Sequence, residues 1–211
     1  SPARVRRAIE NTATPLGGDA PDAVLTYGRG LLQVDAAAAY LARELAEGPP
    51  DCRYEVTVRR SDGHAGSARG LVVRDPACAG RASVSATAFV APTLHARADV
   101  ASEHLAIDDR IAITTTAPWL AAPPSLMLPA NGRSFEVEAA LGGLPEGLHY
   151  GEVLLSDGRA PWRGPLARVP VTVIKPSPVD TSPGAGGGVA DLGTVHFSPG
   201  TEARRFLAAP P

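Results

Sequence analysis

Cys52-Arg53-Tyr54-Glu55-Val56-Thr57-Val58 sets the fold class of this chain. Tyr54, Val56 and Val58 alternate with Arg53, Glu55 and Thr57, so a two-residue period sends apolar side chains to one face and polar ones to the other. That is the signature of a half-buried β-strand. The segments 70–74, 82–90, 104–114, 133–139, 148–156 and 166–174 read as further strands. Turn clusters separate them: Ser61-Asp62-Gly63, Arg74-Asp75-Pro76, Asn131-Gly132 and Asp157-Gly158. About seven short strands at this spacing predict a mainly β chain, an antiparallel β-sandwich of the immunoglobulin or fibronectin kind over 48–176. Trp119 and Trp162 are expected as core or edge anchors, because a core this poor in aromatics needs a few large side chains.

Upstream, the period is helical. Ser1-Pro2 offers a hydroxyl cap followed by proline at the first helical position. Val5, Ala8, Ile9 and Thr12 fall on one apolar stripe, leaving Arg4, Arg6, Arg7 and Glu10 to the solvent side. Pro15 ends this helix near Thr14. A Gly/Pro/Asp loop over 16–21 leads to Tyr27-Gly28-Arg29-Gly30, whose paired glycines mark a tight backbone path. Asp35 is expected to cap a second helix, running through Ala36–Ala39, Leu41 and Leu45 and stopping at Gly48-Pro49-Pro50. Two helices cannot build a core alone. Residues 1–47 therefore read as the edge of another domain, poorly ordered by themselves because their apolar stripes lack a partner. At the other end, Lys175-Pro176-Ser177-Pro178 and Pro183-Gly184-Ala185-Gly186-Gly187-Gly188 read as a linker. The strand-like runs 189–197 and 204–207 follow, so 177–211 is expected to be linker plus the truncated start of a further β domain.

Composition removes several function classes. A net charge of −2 over 211 residues removes the usual argument for a nucleic-acid partner, and no apolar run approaches the length of a membrane span. Two cysteines are too few for a disulfide framework or a cysteine-only metal cage; Cys52 and Cys78 either pair or sit as buried thiols, and free thiols are the preferred reading. The only methionine is Met127, so the chain is expected to be processed or cut from something longer.

The residues present offer little chemistry. His64, His95, His104, His149 and His196 form no metal-like cluster and no HExxH, and surface or strand-edge roles suit all five. No GxSxG elbow occurs; Gly66-Ser67-Ala68-Arg69-Gly70 places its serine wrongly. Asp108-Asp109 beside Glu103 suits a solvated turn better than a calcium or acid–base cluster, since adjacent side chains on a strand point to opposite faces. The glycine run 184–188 lacks the Gly-Lys-Ser/Thr ending of a phosphate loop. No catalytic, substrate-binding, cofactor-binding or metal residue is assigned, and no cofactor is expected.

Several segments carry a resemblance. Val5-Arg6-Arg7-Ala8-Ile9-Glu10-Asn11-Thr12-Ala13 resembles the V-R-x-A-L-x-N-T-A pattern of a late helix in subtilisin-like (S8) serine peptidases. Tyr27-Gly28-Arg29-Gly30-Leu31-Leu32-Gln33-Val34-Asp35-Ala36-Ala37 is similar to the G-x-G-x-[ILV]-x-V-[ND]-x-A segment that closes the same domain. Arg69-Gly70-Leu71-Val72-Val73-Arg74-Asp75-Pro76 looks like the R-G-I-Y-L-R-D-P run of the tripeptidyl-peptidase II-like group. The Leu144-to-Val153, Gly164-to-Val173 and Val195-to-Gly200 stretches fit that group too, as does Trp119 with Pro123, Leu126, Arg133 and Phe135. The resemblance covers nearly the whole chain; Val72 and Val73 stand where the group often has bulkier residues.

The resemblance implies a Ser-His-Asp peptidase that removes tripeptides from free N-termini, with serine as nucleophile, histidine as proton carrier and aspartate as its orienter. In that group all three, and the glutamates that hold the substrate's N-terminus, lie upstream of the helix equivalent to 1–14, so none carries over to this chain. The implied partners are the upstream peptidase domain of the same polypeptide, copies of itself in a homo-oligomer, and oligopeptide substrates through the parent; the implied compartment is cytoplasmic. On this reading 1–47 completes an α/β subtilisin-like domain absent from the chain, 48–176 buttresses it, and the chain alone is inert. The alternatives are a stand-alone β-sandwich binding module, which would not need residues 1–47, and the C-terminal part of a secreted subtilase endopeptidase.

Overall fold

Alternation at every second residue closes two sheets face to face. In a computed structural model of the chain, residues 1–18, 23–47, 52–60, 69–74, 81–94 and 108–175 are described, and Ser1–Lys175 forms one compact unit. The linker and further strands expected over 177–211 lie outside the described residues, as do the turns at Ser61-Asp62-Gly63 and Asp75-Pro76. A four-stranded sheet runs in the order β1 (Cys52–Arg60), β3 (Ser83–Leu94), β7 (Arg133–Ala140), β5 (Leu120–Ala121). A five-stranded sheet runs β2 (Leu71–Val73), β9 (Pro165–Lys175), β8 (Gly147–Asp157), β4 (Asp108–Thr115), β6 (Ser125–Pro129).

Register follows the pattern in the sequence. In the first sheet Val58 faces Ala88, and Ala88 faces Phe135. In the second, Val153 faces Val169 and Leu155 faces Ala167. These inward positions join one core of 22 buried residues, with Val56, Tyr54 and Trp119 packed on its margin. Ala86, Ala88 and Ala139 fill the middle of the first sheet with small side chains, so the branched residues of the second can approach closely.

Three features depart from the expectation. Among the described residues all strand pairings are antiparallel except one: β2 runs parallel to β9, Leu71 opposite Val171 and Val73 opposite Val173. The chain leaves β1 in one sheet and enters β2 in the other, and no hairpin constrains that direction. Second, β5 and β6 were not anticipated, because Pro118, Pro123, Pro124 and Pro129 break up the local pattern. Tertiary pairing supplies their bonds: Leu120 pairs with Ala139, and Leu126 with Ile111. Third, Asp108-Asp109 opens β4 instead of forming a solvated turn. The Asn131-Gly132 turn is as read; Gly132 has φ +85° and donates its N–H to Pro129 O at 2.9 Å.

Ahead of the sandwich lie α1 (Pro2–Thr12), a five-residue α2 (Ala23–Tyr27) that was not anticipated, and α3 (Val34–Glu47). Ser1 caps α1, its Oγ accepting from Arg4 N at 3.3 Å. The chain leaves α1 before Thr14, which bridges Leu31 through paired backbone bonds of 2.8 and 2.9 Å. Gly30, at φ +102°, allows that contact, since a Cβ there would sit 2.0 Å from Thr14 O. Asp35 is the second helical residue of α3, two places past the cap position expected for it, which Gln33 occupies.

Candidate functional site

The helices meet the sandwich through charge, and α1 is rotated by about a quarter turn from the expected face: Ala8 of the apolar stripe is buried and Arg6 exposed as expected, but Arg7 turns inward and Val5 and Ile9 turn out. Arg7 and Ala8 are buried, whereas Val5 is 45% and Ile9 39% exposed. α3 turns Ala37, Tyr40 and Glu44 inward and leaves Val34 and Leu45 at 66% and 71% exposure. The assignment of Arg4 and Arg7 to solvent is therefore corrected. The physical reason is that the sandwich end beneath α1 presents carbonyls and charges, so the helix's polar side is the one that finds partners. Val5 and Ile9 stay exposed, yet the helices are seated on the sandwich through their buried polar side.

Glu44 is the hub of the first cluster. Its Oε1 accepts from Arg7 Nη2 at 2.6 Å, Arg163 Nη2 at 2.7 Å and Arg163 Nε at 3.2 Å, and Arg4 Nε lies 3.4 Å from its Oε2. Arg163, only 1% exposed, also donates from Nη1 to Asp157 Oδ2 at 3.1 Å. Arg7 Nη1 donates to Cys52 O at 3.2 Å, tying α1 to the start of β1. Burial opposes the charge of Arg163, but Glu44 and Asp157 outweigh it and hold the guanidinium above its ordinary pKa.

Glu152 on β8 anchors the second cluster. Arg29 grips it with two parallel bonds, Nη1 to Oε2 at 2.8 Å and Nη2 to Oε1 at 2.6 Å. Tyr150 Oη donates to Oε1 at 2.6 Å and Arg168 Nη1 to Oε2 at 3.3 Å. Burial alone would raise the Glu152 pKa, yet Arg29, Tyr150 and Arg168 together hold it below the ordinary carboxylate value. Burial and the same carboxylate push the Tyr150 phenol up. Arg168 is pulled down by burial and by Arg29.

Asn11 links the clusters. Its Nδ2 donates to Arg163 O at 2.7 Å and Pro165 O at 2.9 Å, and its Oδ1 accepts from Arg168 Nη2 at 3.0 Å. Gly164, at φ +64°, turns the chain from the 3-10 turn Pro161–Arg163 into β9 beneath Asn11; a Cβ there would lie 2.9 Å from Asn11 Nδ2. Tyr40 Oη donates to Arg163 O at 2.8 Å, and Trp162 tilts against Tyr40 at 5.7 Å with Arg43 4.1 Å above it. Trp162 thus anchors the helices and not the sandwich core, whereas Trp119 packs on the core margin.

A cleft of about 570 Å³ opens beside α2, lined by Val24, Trp119, Leu148, His149, Tyr150 and Glu152 among others. Its carboxylate is already committed to two guanidiniums, which leaves it unsuited to acid–base work. His149 Nε2 lies 2.8 Å from Pro145 O. Asp109 accepts from Tyr54 Oη at 3.0 Å, a structural bond. Cys52 is buried, and burial together with Asp109 raises its thiol pKa to about 11. Among the described residues no group of three His, Cys, Asp or Glu could hold a metal. His64, His95, His104, His196, Cys78, Glu103, Ser67 and the 184–188 glycines lie outside the described residues. The joint residues Arg29, Glu44, Glu152 and Arg163 were not singled out from sequence. One signal existed: Glu44 follows Ala37, Tyr40 and Leu41 at helical spacing, which puts a carboxylate on the inward face.

The comparisons with known proteins agree with this architecture. Residues 52–174 match the family described as "Tripeptidyl-peptidase II, first Ig-like domain". The chain is 37% identical to tripeptidyl-peptidase 2 of Arabidopsis thaliana and 34% identical to that of Oryza sativa subsp. japonica, each over 100% of this chain and 15% of the relative. It therefore spans about 15% of the length of these curated relatives. A crystal structure of tripeptidyl peptidase 2 superposes with a TM-score of 0.73 at 27% identity, covering 86% of this chain and 14% of that one. With two sheets in the matched span and relatives aligned along the whole chain, the chain belongs to the tripeptidyl-peptidase II family, and its β-sandwich is that family's first Ig-like domain.

Proposed function

We propose that this chain is a non-catalytic part of a serine peptidase that releases tripeptides from peptide N-termini, with residues 1–47 completing the peptidase domain and the sandwich buttressing it. One observation carries the reading. Of the 13 large hydrophobic side chains exposed among the described residues, nine lie before residue 48: Val5, Ile9, Leu16, Leu25, Tyr27, Leu31, Leu32, Val34 and Leu45. An apolar array of this size on one short segment is what a domain edge leaves when its neighbour is elsewhere in the polypeptide. The relatives are long enough to hold such a neighbour. Homo-oligomer assembly, which the family resemblance implies, belongs to the same proposal.

The test is to extend the reading frame upstream of Ser1 and assay a tripeptide-coupled reporter. The 211-residue chain is expected to be inert, and the extended polypeptide active and blocked by a serine-directed reagent. Val5→Asp with Ile9→Asp in the extended form is expected to abolish activity while leaving the sandwich folded. An upstream frame without Ser, His and Asp motifs, or full activity of that double variant, would overturn the reading. Sedimentation of the extended form reads the oligomer directly, and a monomer at working concentration removes that part.

A further inference from the structure

We propose that Glu44 is the pin of an ionic latch that holds α1 and α3 on the sandwich as a separately releasable layer. The contrast in packing is the starting point. The sandwich core joins 22 buried residues, whereas the helix layer buries three hydrophobics, Ala8, Ala37 and Tyr40, with Leu41 and Trp162 beside them. So little apolar area cannot fix a helix pair in one orientation. The charges can. Arg7 from α1, Glu44 from α3, and Arg163 with Asp157 from the sandwich meet in one buried cluster, with side-chain exposures of 6%, 0%, 1% and 13%. Three separate pieces of chain end on one carboxylate oxygen, since Arg7 and Arg163 both bond to Glu44 Oε1.

A buried ion network of this kind specifies geometry more than it adds net stability, and removing one member leaves the others charged and without compensation. Without the Glu44 charge, Arg4, Arg7 and Arg163 gather in a dry joint with only Arg163 keeping its bond to Asp157 among these contacts. The low-cost escape is for the helices to lift and let water reach the guanidiniums, because none of the 22 core residues comes from α1 or α3. Glu44 is then a positioning residue: it decides which way Val5, Ile9, Val34 and Leu45 point. That consequence for docking rests on the function proposed above, while the latch itself stands on the geometry of this chain.

The experiment uses the 211-residue chain and its Glu44→Gln variant, which keeps the side-chain size and removes the charge. Residue-resolved amide exchange is expected to lose at least tenfold protection at Ala8 and Tyr40 with no change at Val137 and Val169. In a Trp119→Phe background, acrylamide quenching of Trp162 is expected to rise severalfold in the variant. Equal loss of protection in helices and sandwich would overturn the latch, because the whole would then be one cooperative unit. Unchanged protection at Ala8 and Tyr40 would overturn it too, because the apolar contacts and the Asn11 and Tyr40 hydrogen bonds would then suffice. Should Glu44→Gln not fold, Arg7→Met removes one guanidinium of α1 from the cluster and is expected to give the same split in weaker form. No partner enters this measurement. Loss of the peptidase reading with the split intact, or the reverse, separates the two claims.

Discussion

Replacing Glu152 by glutamine tests whether charge holds the second seam of the joint. The carboxylate side chain is 4% exposed and accepts from Arg29 twice, from Tyr150 and from Arg168. Charge-assisted bonds contribute about 1.5–3 kcal/mol each and are not additive in one cluster. The Arg168 bond, at 3.3 Å, is the weakest of the four. Glutamine keeps one acceptor and turns a donor toward two guanidiniums. Arg29 is 27% exposed and can turn to water, while Arg168, at 19%, has less room to do so. The loss should fall near the lower end of the roughly 3–5 kcal/mol seen when one member of a buried pair is removed. In urea, with a slope of about 1–3 kcal/mol per molar, that moves the midpoint by about 1–3 M.

The assay is urea unfolding followed at 222 nm, where the helices dominate, repeated from pH 7 to pH 3. The folded-state pKa of Glu152 lies below its ordinary value of 4.5, so the unfolded chain binds its proton first as pH falls. Its contribution is complete above the unfolded value and is lost as pH drops through the folded one. The wild-type advantage over Glu152→Gln should therefore be full at pH 6–7 and shrink on the acid side of about pH 4.5. A difference that stays constant to pH 3, or one under about 0.5 kcal/mol at pH 7, would refute an ionic seam and leave packing as the cause.

Two further outcomes follow from single residues. Gly30→Ala puts a Cβ against Thr14 O at φ +102°, so it should break the Thr14–Leu31 bridge and increase proteolysis between α1 and α3; an unchanged cleavage pattern would count against that geometry. In a Cys78→Ser background, Cys52, with its thiol raised to about 11, should resist a disulfide reagent at pH 8 until urea is added, and rapid native labelling would contradict its burial.

Elements that report their own environment are legible residue by residue. Tyr54-Val56-Val58 and the alternation in β7 and β9 state which side chains face inward, because a strand's period is two wherever it lies. The motifs near Val5, Gly28 and Arg69 likewise carried the family before any coordinate was known. Tertiary structure alone decided the rest. Leu120–Ala121 and Ser125–Pro129 are strands only because Ala139 and Ile111 lie opposite them, and the parallel β2–β9 pairing depends on a path that no local signal fixes. The clearest case is α1. Its apolar stripe was legible, but which face it buries depends on its neighbour, and here that neighbour offers Cys52 O, Glu44, Arg163 O and Pro165 O. A helix with an apolar and a cationic side can satisfy either one; the partner's chemistry, written more than 100 residues away at Arg163 and Arg168, chooses between them.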